Sequence, residues 1–262
     1  MSSKPPVVLC FSGHDPSGGA GIQADIETLA THHCHACSII TALTEQDTRN
    51  IYNIIPQQPG NIIHQANKIF ADFEVSVIKI GLLAHAEIAQ ALAGILANKP
   101  QIPVILDPVL AAGGGHSAAN SALISAIIQE LLPRTTLATP NSVEARILGQ
   151  QNNLDESGLA MLAKGSQYVL ITGTHENTLQ VCNRLYHQGG LLENYTWNRL
   201  PADYHGSGCT LSACIAALLA QGLAIPDAIL EAQEFTWNAL QAAYNPGKGQ
   251  RIPDRFFWMQ KS

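Results

Sequence analysis

The residues best suited to chemistry stand in one short segment, residues 205–210 (HGSGCT), which opens a long apolar run. Small residues followed by a threonine predict that a helix begins here with several backbone N–H groups unpaired. Those donors and the positive end of the helix dipole would bind an anion such as a phosphate. An ordinary capped helix start explains the same residues, so this segment alone leaves both interpretations open.

Cys209 is the one cysteine of six that this pattern places at a helix start. A thiol in that position is expected to have a lowered pKa, which predicts a base or a nucleophile. Cys10 and Cys214 stand in apolar runs, where a free cysteine packs as a small hydrophobic residue. In a chain of 262 residues, six cysteines do not indicate a disulfide framework.

Two further glycine-rich segments follow apolar runs. Residues 12–21 (SGHDPSGGAG) have neither the GxGxxG spacing of a dinucleotide site nor the pattern of a P-loop. A loop with several positive-φ positions explains them equally well. Residues 113–115, three consecutive glycines after Asp107 and Pro108, are flexible enough to form a moving cover.

Short apolar runs alternate with longer amphipathic ones, which predicts an α/β fold with a mostly parallel sheet and helices on both faces. The predicted strands are rich in β-branched residues and cover 7–12, 38–44, 75–80, 104–106, 137–138 and 168–171. The predicted helices cover 21–31, 61–70, 87–98, 121–132, 143–148, 156–163, 210–220 and 227–243.

The glycine-rich segments are expected to meet, because ligands of an open parallel sheet bind outside the carboxyl ends of its strands. Residues 179–197 predict antiparallel strands that turn at Gly189 and Gly190. No stretch rich in Pro, Gly or Ser separates two halves, so residues 1–262 are predicted to form a single domain.

The amino-acid composition excludes some classes of binding partner. The formal net charge is −6 and only 13% of the residues are charged, which argues against nucleic acid or an acidic membrane surface as the main partner. No apolar run approaches the ~20 residues of a membrane span. The first residues do not have the form of a signal peptide. We therefore expect a soluble cytoplasmic protein.

Six segments in order resemble the hydroxymethylpyrimidine/phosphomethylpyrimidine kinases, members of the ribokinase-like superfamily. They read SGHDPSGGAGIQAD, ITALTEQDTRN, KIGLLA, LDPVL, TPNSVEA and HGSGCTLSACIAALLA. The resemblance extends from about Val7 to about Phe256. It implies a ribokinase-like three-layer α/β fold with a mostly parallel central sheet.

The resemblance also implies an activity. Family members use ATP and Mg²⁺ to phosphorylate 4-amino-5-hydroxymethyl-2-methylpyrimidine and then its monophosphate, which yields the pyrophosphate used in thiamine biosynthesis. They are usually homodimers. These are expectations for this chain.

Carried over by position, the resemblance implies a set of site residues. Asp25 and Gln46 would bond the aminopyrimidine edge, although Asp25 also fits a helix-face acid. The pocket walls would be Gly13, Ala20, Leu82 and Val109. The turn that holds the moving phosphoryl group would be Gly206, Ser207, Gly208 and Cys209, with Cys209 as the catalytic cysteine. Asn141 and Glu144 would organise Mg²⁺, and the two also fit a helix cap. Asp107, at the end of a predicted strand nearby, is a further candidate for the metal.

The chain departs from the family at two lysines near the phosphates. Residues 110–115 (LAAGGG) and 171–175 (ITGTH) contain no lysine where family members usually have one. Thr172 and His205 remain candidates for contacts with the nucleotide, while His205 also fits a simple cap. Lys79 and Lys248 are possible replacements for the lost charges.

Three alternatives stay open. The absent lysines favour a non-catalytic pyrimidine-binding homologue. A related pyridoxal-type vitamin kinase would differ in the pocket, and Gln46 and Cys209 weigh against it. The segment His32-His33-Cys34-His35-Ala36-Cys37 has the spacing of half a zinc site, although no second cysteine pair of suitable spacing exists.

Overall fold

The computed structural model describes residues 4–112, 116–117 and 120–260, which form eleven strands and eight α-helices. The strands are β1 (Val7–His14), β2 (His35–Gln46), β3 (Ile51–Pro56), β4 (Val75–Ile80), β5 (Val104–Leu106), β6 (Ala111–Ala112), β7 (His116–Ser117), β8 (Leu137–Ala138), β9 (Tyr168–Ile171), β10 (Gln180–His187) and β11 (Gly190–Asn198). The helices are α1 (Gly21–Thr31), α2 (Pro59–Asp72), α3 (Ala86–Ala97), α4 (Ser121–Ala126), α5 (Ser142–Gly149), α6 (Leu154–Ala163), α7 (Ser207–Ala220) and α8 (Ile225–Gln241).

Nine of these strands form one sheet in the order β11-β10-β9-β8-β5-β4-β1-β2-β3. The six strands from β9 to β2 are parallel. An antiparallel strand, β3, lies at one edge, and the antiparallel pair β10–β11 lies at the other. The predicted α/β fold with a mostly parallel sheet is confirmed.

Each face of the sheet carries its own hydrophobic core. Alternate residues of β1 show the division, since Leu9 and Phe11 belong to the core beneath α2–α6, whereas Val8 and Cys10 belong to the core beneath α1, α7 and α8. This alternation follows from the two-residue period of a strand. The result is the predicted three-layer arrangement.

Element boundaries differ from the predictions in informative ways. Strand β3 was not predicted, and α7 begins at Ser207, within the glycine-rich turn, rather than at residue 210. Helix α2 begins at Pro59 because proline fits the first helical position, where no N–H partner is needed. The helix predicted over 121–132 continues beyond α4 as a π-helical turn at Ile127–Leu131.

The carboxyl ends of the parallel strands meet along one edge of the sheet and position the site. Strand β1 leads into the loop of residues 15–20, β4 into Gly81 and Leu82, and β5 into Asp107. Strand β8 leads into Asn141 and β9 into Thr172, which are joined by an isolated bridge. Within the described ranges, no helix is long and apolar enough to cross a membrane.

Candidate active site

The turn that opens α7 has the geometry of an anion site. Gly206 is the N-cap and has φ +84°, and a Cβ there would overlap the carbonyl oxygen of Gly19. Only glycine fits both restrictions. No side chain caps this helix start, so its first N–H groups stay available. The exposed Gly208 lies beside Asp107, whose carboxylate oxygens are 3.8 and 3.9 Å from the position of a Cβ at Gly208.

Cys209 is half-buried, and its surroundings oppose ionisation. Burial raises the pKa of the thiol to about 12, and the negative charges of Asp107 and Asp25 add to this while Lys79 opposes it. The backbone N–H of Gly21 also bonds the sulfur and favours the thiolate, yet it is outweighed. The prediction that the helix start lowers the pKa of Cys209 is wrong, because desolvation and neighbouring carboxylates exceed the effect of the dipole.

A buried ion pair lies beneath this turn. The Lys79 Nζ is 2.9 and 3.1 Å from the two oxygens of Asp25, and Ser12 Oγ donates to Asp25 at 2.5 Å. Neither Lys79 nor Asp25 has exposed surface. Burial alone would lower the pKa of Lys79, but Asp25, Cys209 and Asp107 raise it above the usual range, so Lys79 stays charged.

This pair bears on two expectations. Asp25 has no exposed surface and both of its oxygens are bonded within the protein, so its contact with the pyrimidine edge stays a prediction. Lys79 also has no exposed surface, and it supplies a buried positive charge near Asp107 and Cys209.

The other candidate replacement, Lys248, is exposed in a cleft of about 410 Å³. Arg49 and Arg251 also line this cleft, and Arg49 Nε donates to the carbonyl oxygen of Lys248 at 3.3 Å. The backbone of Arg251 bonds that of His205, at 2.9 Å. Three cations are therefore gathered immediately beside the turn, although none of them is buried.

Asp15 organises the first glycine-rich loop, and sequence reasoning missed it. Its two carboxylate oxygens accept N–H bonds from Ser17 and Ala20, both at 2.8 Å. Burial opposes ionisation, yet hydrogen bonds from His205 and Ser17 outweigh it and lower the pKa of Asp15. The Asp-Pro-Ser sequence was the available signal, because aspartate commonly bonds the backbone two residues onward in turns.

Several of the predicted pocket residues lie beside this loop. A Cβ on Gly13 would lie 2.8 Å from Cδ2 of Leu82, so these two predicted walls are in contact. Ala20, at the end of this loop, and Val109, which follows β5, are both half-buried. Gln46, at the end of β2, has its amide nitrogen 2.9 Å from Nε2 of His205. The same imidazole nitrogen lies 2.9 Å from Asp15, so His205 faces the predicted pyrimidine side.

Asn141 and Glu144 form a capping box at the start of α5. The Asn141 side chain accepts from the N–H groups of Val143 and Glu144, and Glu144 accepts from the N–H of Asn141 at 2.9 Å. Burial, together with Asp107, raises the pKa of Glu144 to about 8. Two buried carboxyl groups, one of which disfavours the charge of the other, suit a divalent cation.

The donor set fits Mg²⁺ held largely through water and phosphate. No group of three or more His, Cys, Asp or Glu side chains among residues 4–112, 116–117 and 120–260 forms a metal cage. Magnesium needs only one or two protein carboxylates, which Asp107 and Glu144 would provide. Cys34 and Cys37, proposed as half of a zinc site, belong to the two separate cores on opposite faces of the sheet.

Thr172 lies beside Asn141 at the end of β9. Its N–H donates to Pro140 O at 2.9 Å, and its carbonyl accepts from Ser142 at 3.0 Å. The loop that follows is held by Arg199, whose guanidinium donates to the carbonyls of Thr174, Glu176 and Thr178. No sequence signal marked Arg199. The glycines at 113–115, predicted as a moving cover, lie outside the described residues.

The fold recurs in solved vitamin kinases. A pyridoxal kinase from Bacillus subtilis, solved as an ADP complex, aligns with a TM-score of 0.88 and 27% identity over 97% of this chain and 99% of that one. A phosphomethylpyrimidine kinase from Clostridium difficile aligns with a TM-score of 0.77 and 28% identity over 90% of this chain and 99% of that one. The fold and the site therefore define this chain as an α/β protein of the vitamin-kinase type.

Sequence comparison gives the family. The phosphomethylpyrimidine kinase family model matches residues 15–254. A hydroxymethylpyrimidine/phosphomethylpyrimidine kinase from Haemophilus influenzae is 35% identical over 253 residues, which cover 92% of this chain and 93% of that protein. The chain belongs to the phosphomethylpyrimidine kinase family, as the resemblance in the sequence indicated.

Proposed function

We propose that this chain transfers the γ-phosphoryl group of ATP to the hydroxymethyl group of 4-amino-5-hydroxymethyl-2-methylpyrimidine, and then to the resulting monophosphate, in thiamine biosynthesis. One observation carries the proposal. His205 bonds Gln46, the candidate reader of the pyrimidine, and is followed directly by the turn of residues 206–209. The residues suited to the acceptor and to the moving phosphoryl group are therefore adjacent.

We assign the chain's own residues to the two main requirements of phosphoryl transfer, which are alignment and charge stabilisation. Gln46 orients the ring, and the unpaired N–H groups of residues 206–209 hold the equatorial oxygens of the phosphoryl group. Asp107 and Glu144, with Asn141, would hold Mg²⁺, which supplies charge neutralisation at the phosphates when bound. Thr172 is proposed to contact the nucleotide at the end of β9.

Cys209 is proposed to receive the hydroxymethyl proton. Free Cys209 is a neutral thiol at pH 7, and only its thiolate accepts a proton, so its own proton must leave first. The proton is released to solvent, which the half-buried thiol reaches, so Asp107 stays ionised for Mg²⁺ while the charge of Lys79 favours the thiolate. Because charge develops mainly on the phosphoryl group in a loose transition state, a base that acts late is sufficient.

The direct test is to incubate the purified protein with ATP, Mg²⁺ and the hydroxymethylpyrimidine, and to count the added phosphates by mass spectrometry. Addition of two phosphates supports both steps. One phosphate restricts the chain to the first step, in which case the absent lysines disable the second transfer. Binding of the pyrimidine without turnover indicates a non-catalytic homologue.

Cys209→Ala tests the role of the thiol in the same assay. We expect turnover to be lost while pyrimidine binding stays within about threefold of the parent, since a lost catalytic group costs on the order of 10²–10⁴-fold in rate. Turnover at the parent rate would exclude Cys209 as the proton acceptor.

Pyridoxal is the second candidate substrate, because the pyridoxal kinase of B. subtilis shares the fold at a TM-score of 0.88. Measuring kcat/KM for both rings decides between them. Gln46 favours the pyrimidine, since its amide offers one donor and one acceptor to an aminopyrimidine edge. A homodimer and a cytoplasmic location stay predictions, and light scattering of the purified protein tests the former.

A further inference from the structure

The side chain of Gln46 lies between two protein groups that can fix its orientation. Its Oε1 is 2.9 Å from Oγ1 of Thr44, and its Nε2 is 2.9 Å from Nε2 of His205. Each of these groups has a second partner. Thr44 Oγ1 is 2.9 Å from the carbonyl oxygen of His14, and His205 Nε2 is 2.9 Å from Oδ2 of Asp15.

Counting hydrogens shows a conflict in this orientation. The Thr44 hydroxyl has one hydrogen but faces two acceptors, Gln46 Oε1 and the carbonyl of His14. His205 Nε2 would have to be unprotonated to accept from the Gln46 amide, which leaves a lone pair facing the Asp15 carboxylate. In this orientation Thr44 fails to bond one of its two acceptors, and His205 Nε2 and the Asp15 carboxylate repel each other.

Rotating the carboxamide by half a turn removes both conflicts, because its nitrogen and oxygen then exchange places. Thr44 donates to the carbonyl of His14 and accepts an N–H from Gln46. His205 carries its hydrogen on Nε2, between the Asp15 carboxylate and the Gln46 oxygen. One N–H and one lone pair of Gln46 remain for a ligand, in a defined order.

Asp15 decides which orientation is preferred. Its oxygens already accept N–H bonds from Ser17 and Ala20, and these bonds stabilise the ionised carboxylate. An ionised carboxylate 2.9 Å from His205 Nε2 favours a hydrogen on that nitrogen. The first glycine-rich loop also seats the ring, since a Cβ on Gly19 would overlap Cδ2 of His205.

We propose that Asp15 and His205, with Thr44 on the opposite side, are specificity-determining residues that fix the order of donor and acceptor on the Gln46 carboxamide. This order makes the pocket select a ring with an amino group next to an acceptor nitrogen over a ring with the reverse order. The inference rests on the proposed function, because it assumes that Gln46 reads the pyrimidine edge. His205 and Asp15 act through Gln46 and are positioning residues.

The test compares two ligands that differ in this order. The 4-amino ring has a donor beside an acceptor, whereas its 4-oxo analogue has an acceptor beside an N–H donor. Calorimetry gives the ratio of their Kd values for the wild type, His205→Leu and Thr44→Val. We expect the wild type to prefer the 4-amino ring by about 10-fold or more, as a bidentate amide contact does for the matching base. In His205→Leu the ratio should fall to within about threefold, and in Thr44→Val, where His205 still holds one end of the amide, it should fall to a value between that and the wild-type ratio.

His64→Leu is the matched control, because His64 is exposed on α2 and its ratio should equal that of the wild type. Loss of affinity for both rings by the same factor in both variants, with the ratio unchanged, would overturn the inference and indicate a structural role only. If His205→Leu does not fold, Thr44→Val decides, since it removes one hydroxyl at the other end of the amide. Failure of the wild type to bind either ring would refute the proposed function instead.

Discussion

At the scale of single residues, Cys209 shows how burial can reverse a local electrostatic preference. The start of α7 favours a thiolate, but desolvation and the carboxylates of Asp107 and Asp25 raise the pKa of the thiol to about 12. At pH 7 the free protein therefore holds a neutral thiol at the turn. The thiol must lose its own proton before it can accept the proton of the substrate.

This state predicts a distinctive alkylation profile. The rate at which iodoacetamide modifies Cys209 should rise about tenfold per pH unit from pH 7 to 10, because the thiolate fraction rises in that proportion below the pKa. Peptide mass spectrometry measures the rate at this cysteine, and a short unstructured cysteine peptide is the control. A plateau below pH 9 would show that the thiol is acidic after all.

The Lys79–Asp25 pair is the second feature at this scale, since both side chains are completely buried. Lys79→Met should reduce the free energy of unfolding by about 3–5 kcal/mol, because it leaves the Asp25 charge buried without a partner. The double variant Lys79→Met, Asp25→Asn should recover part of that loss. Urea unfolding measures both values.

Arg134→Met is the control for this prediction. Arg134 pairs with Glu130 at 3.9 Å, and both side chains are partly exposed, at 34% and 42%. Such a pair contributes at most about 1 kcal/mol. A loss at Lys79 no larger than that at Arg134 would mean that water reaches the buried pair.

At the scale of elements, the start of α7 is the part of the site that depends most on backbone conformation. Gly206 combines a positive φ with close contact to the carbonyl of Gly19. Gly222 at the other end of α7 has a similar φ of +96° but open space around it. Comparing substitutions at these two glycines therefore distinguishes the cost of backbone strain from the cost of steric overlap.

We expect Gly222→Ala to cost about 1–2 kcal/mol of stability, the strain of an alanine in the left-handed region, with activity retained. Gly206→Ala should cost more than this and abolish phosphoryl transfer, because relieving the overlap moves the turn away from Gly19. Thermal unfolding and the kinase assay measure the two effects. Equal stability losses with full activity in both variants would contradict the role of the close contact.

At the scale of the whole molecule, Arg255 joins the carboxyl-terminal segment to the site. Its guanidinium donates to Thr210 on α7, to Glu27 on α1 and to the carbonyl of Gly19, and the side chain is buried. One residue thus connects the first glycine-rich loop, the helix that carries the anion turn and the end of the chain.

Arg255→Met should lower the free energy of unfolding by about 3–5 kcal/mol and weaken pyrimidine binding, because it leaves buried acceptors unpaired and frees the loop at Gly19. Arg255→Lys keeps the charge but cannot reach three acceptors at once. Its stability and its pyrimidine affinity should therefore lie between those of the parent and those of Arg255→Met. Chemical denaturation and calorimetry measure these effects. If Arg255→Met is destabilised but binds the pyrimidine as tightly as the parent, Arg255 stabilises the fold without supporting the site.

Much of the fold could be predicted from local sequence patterns. Short apolar runs rich in β-branched residues predicted the parallel strands, and longer amphipathic runs predicted most helices, since both patterns reflect which side chains are buried. Strand β3 escaped because its sequence, IYNIIP, has only one buried residue and depends on pairing with β2. The anion turn was recognisable because its small residues directly precede an apolar helix, which is a local pattern.

The sequence by itself determined the order of elements, the glycine turn before α7 and the family, because these depend on residues close together in the chain or on ordered motifs. Tertiary structure decided the charges and partners. Asp25 meets Lys79 at a separation of 54 residues, and His205 meets Asp15 at 190. The pKa of Cys209 depends on burial and on carboxylates brought in from other elements. Electrostatic interactions act through space, so the order of residues along the chain could not give the direction of such a pKa shift.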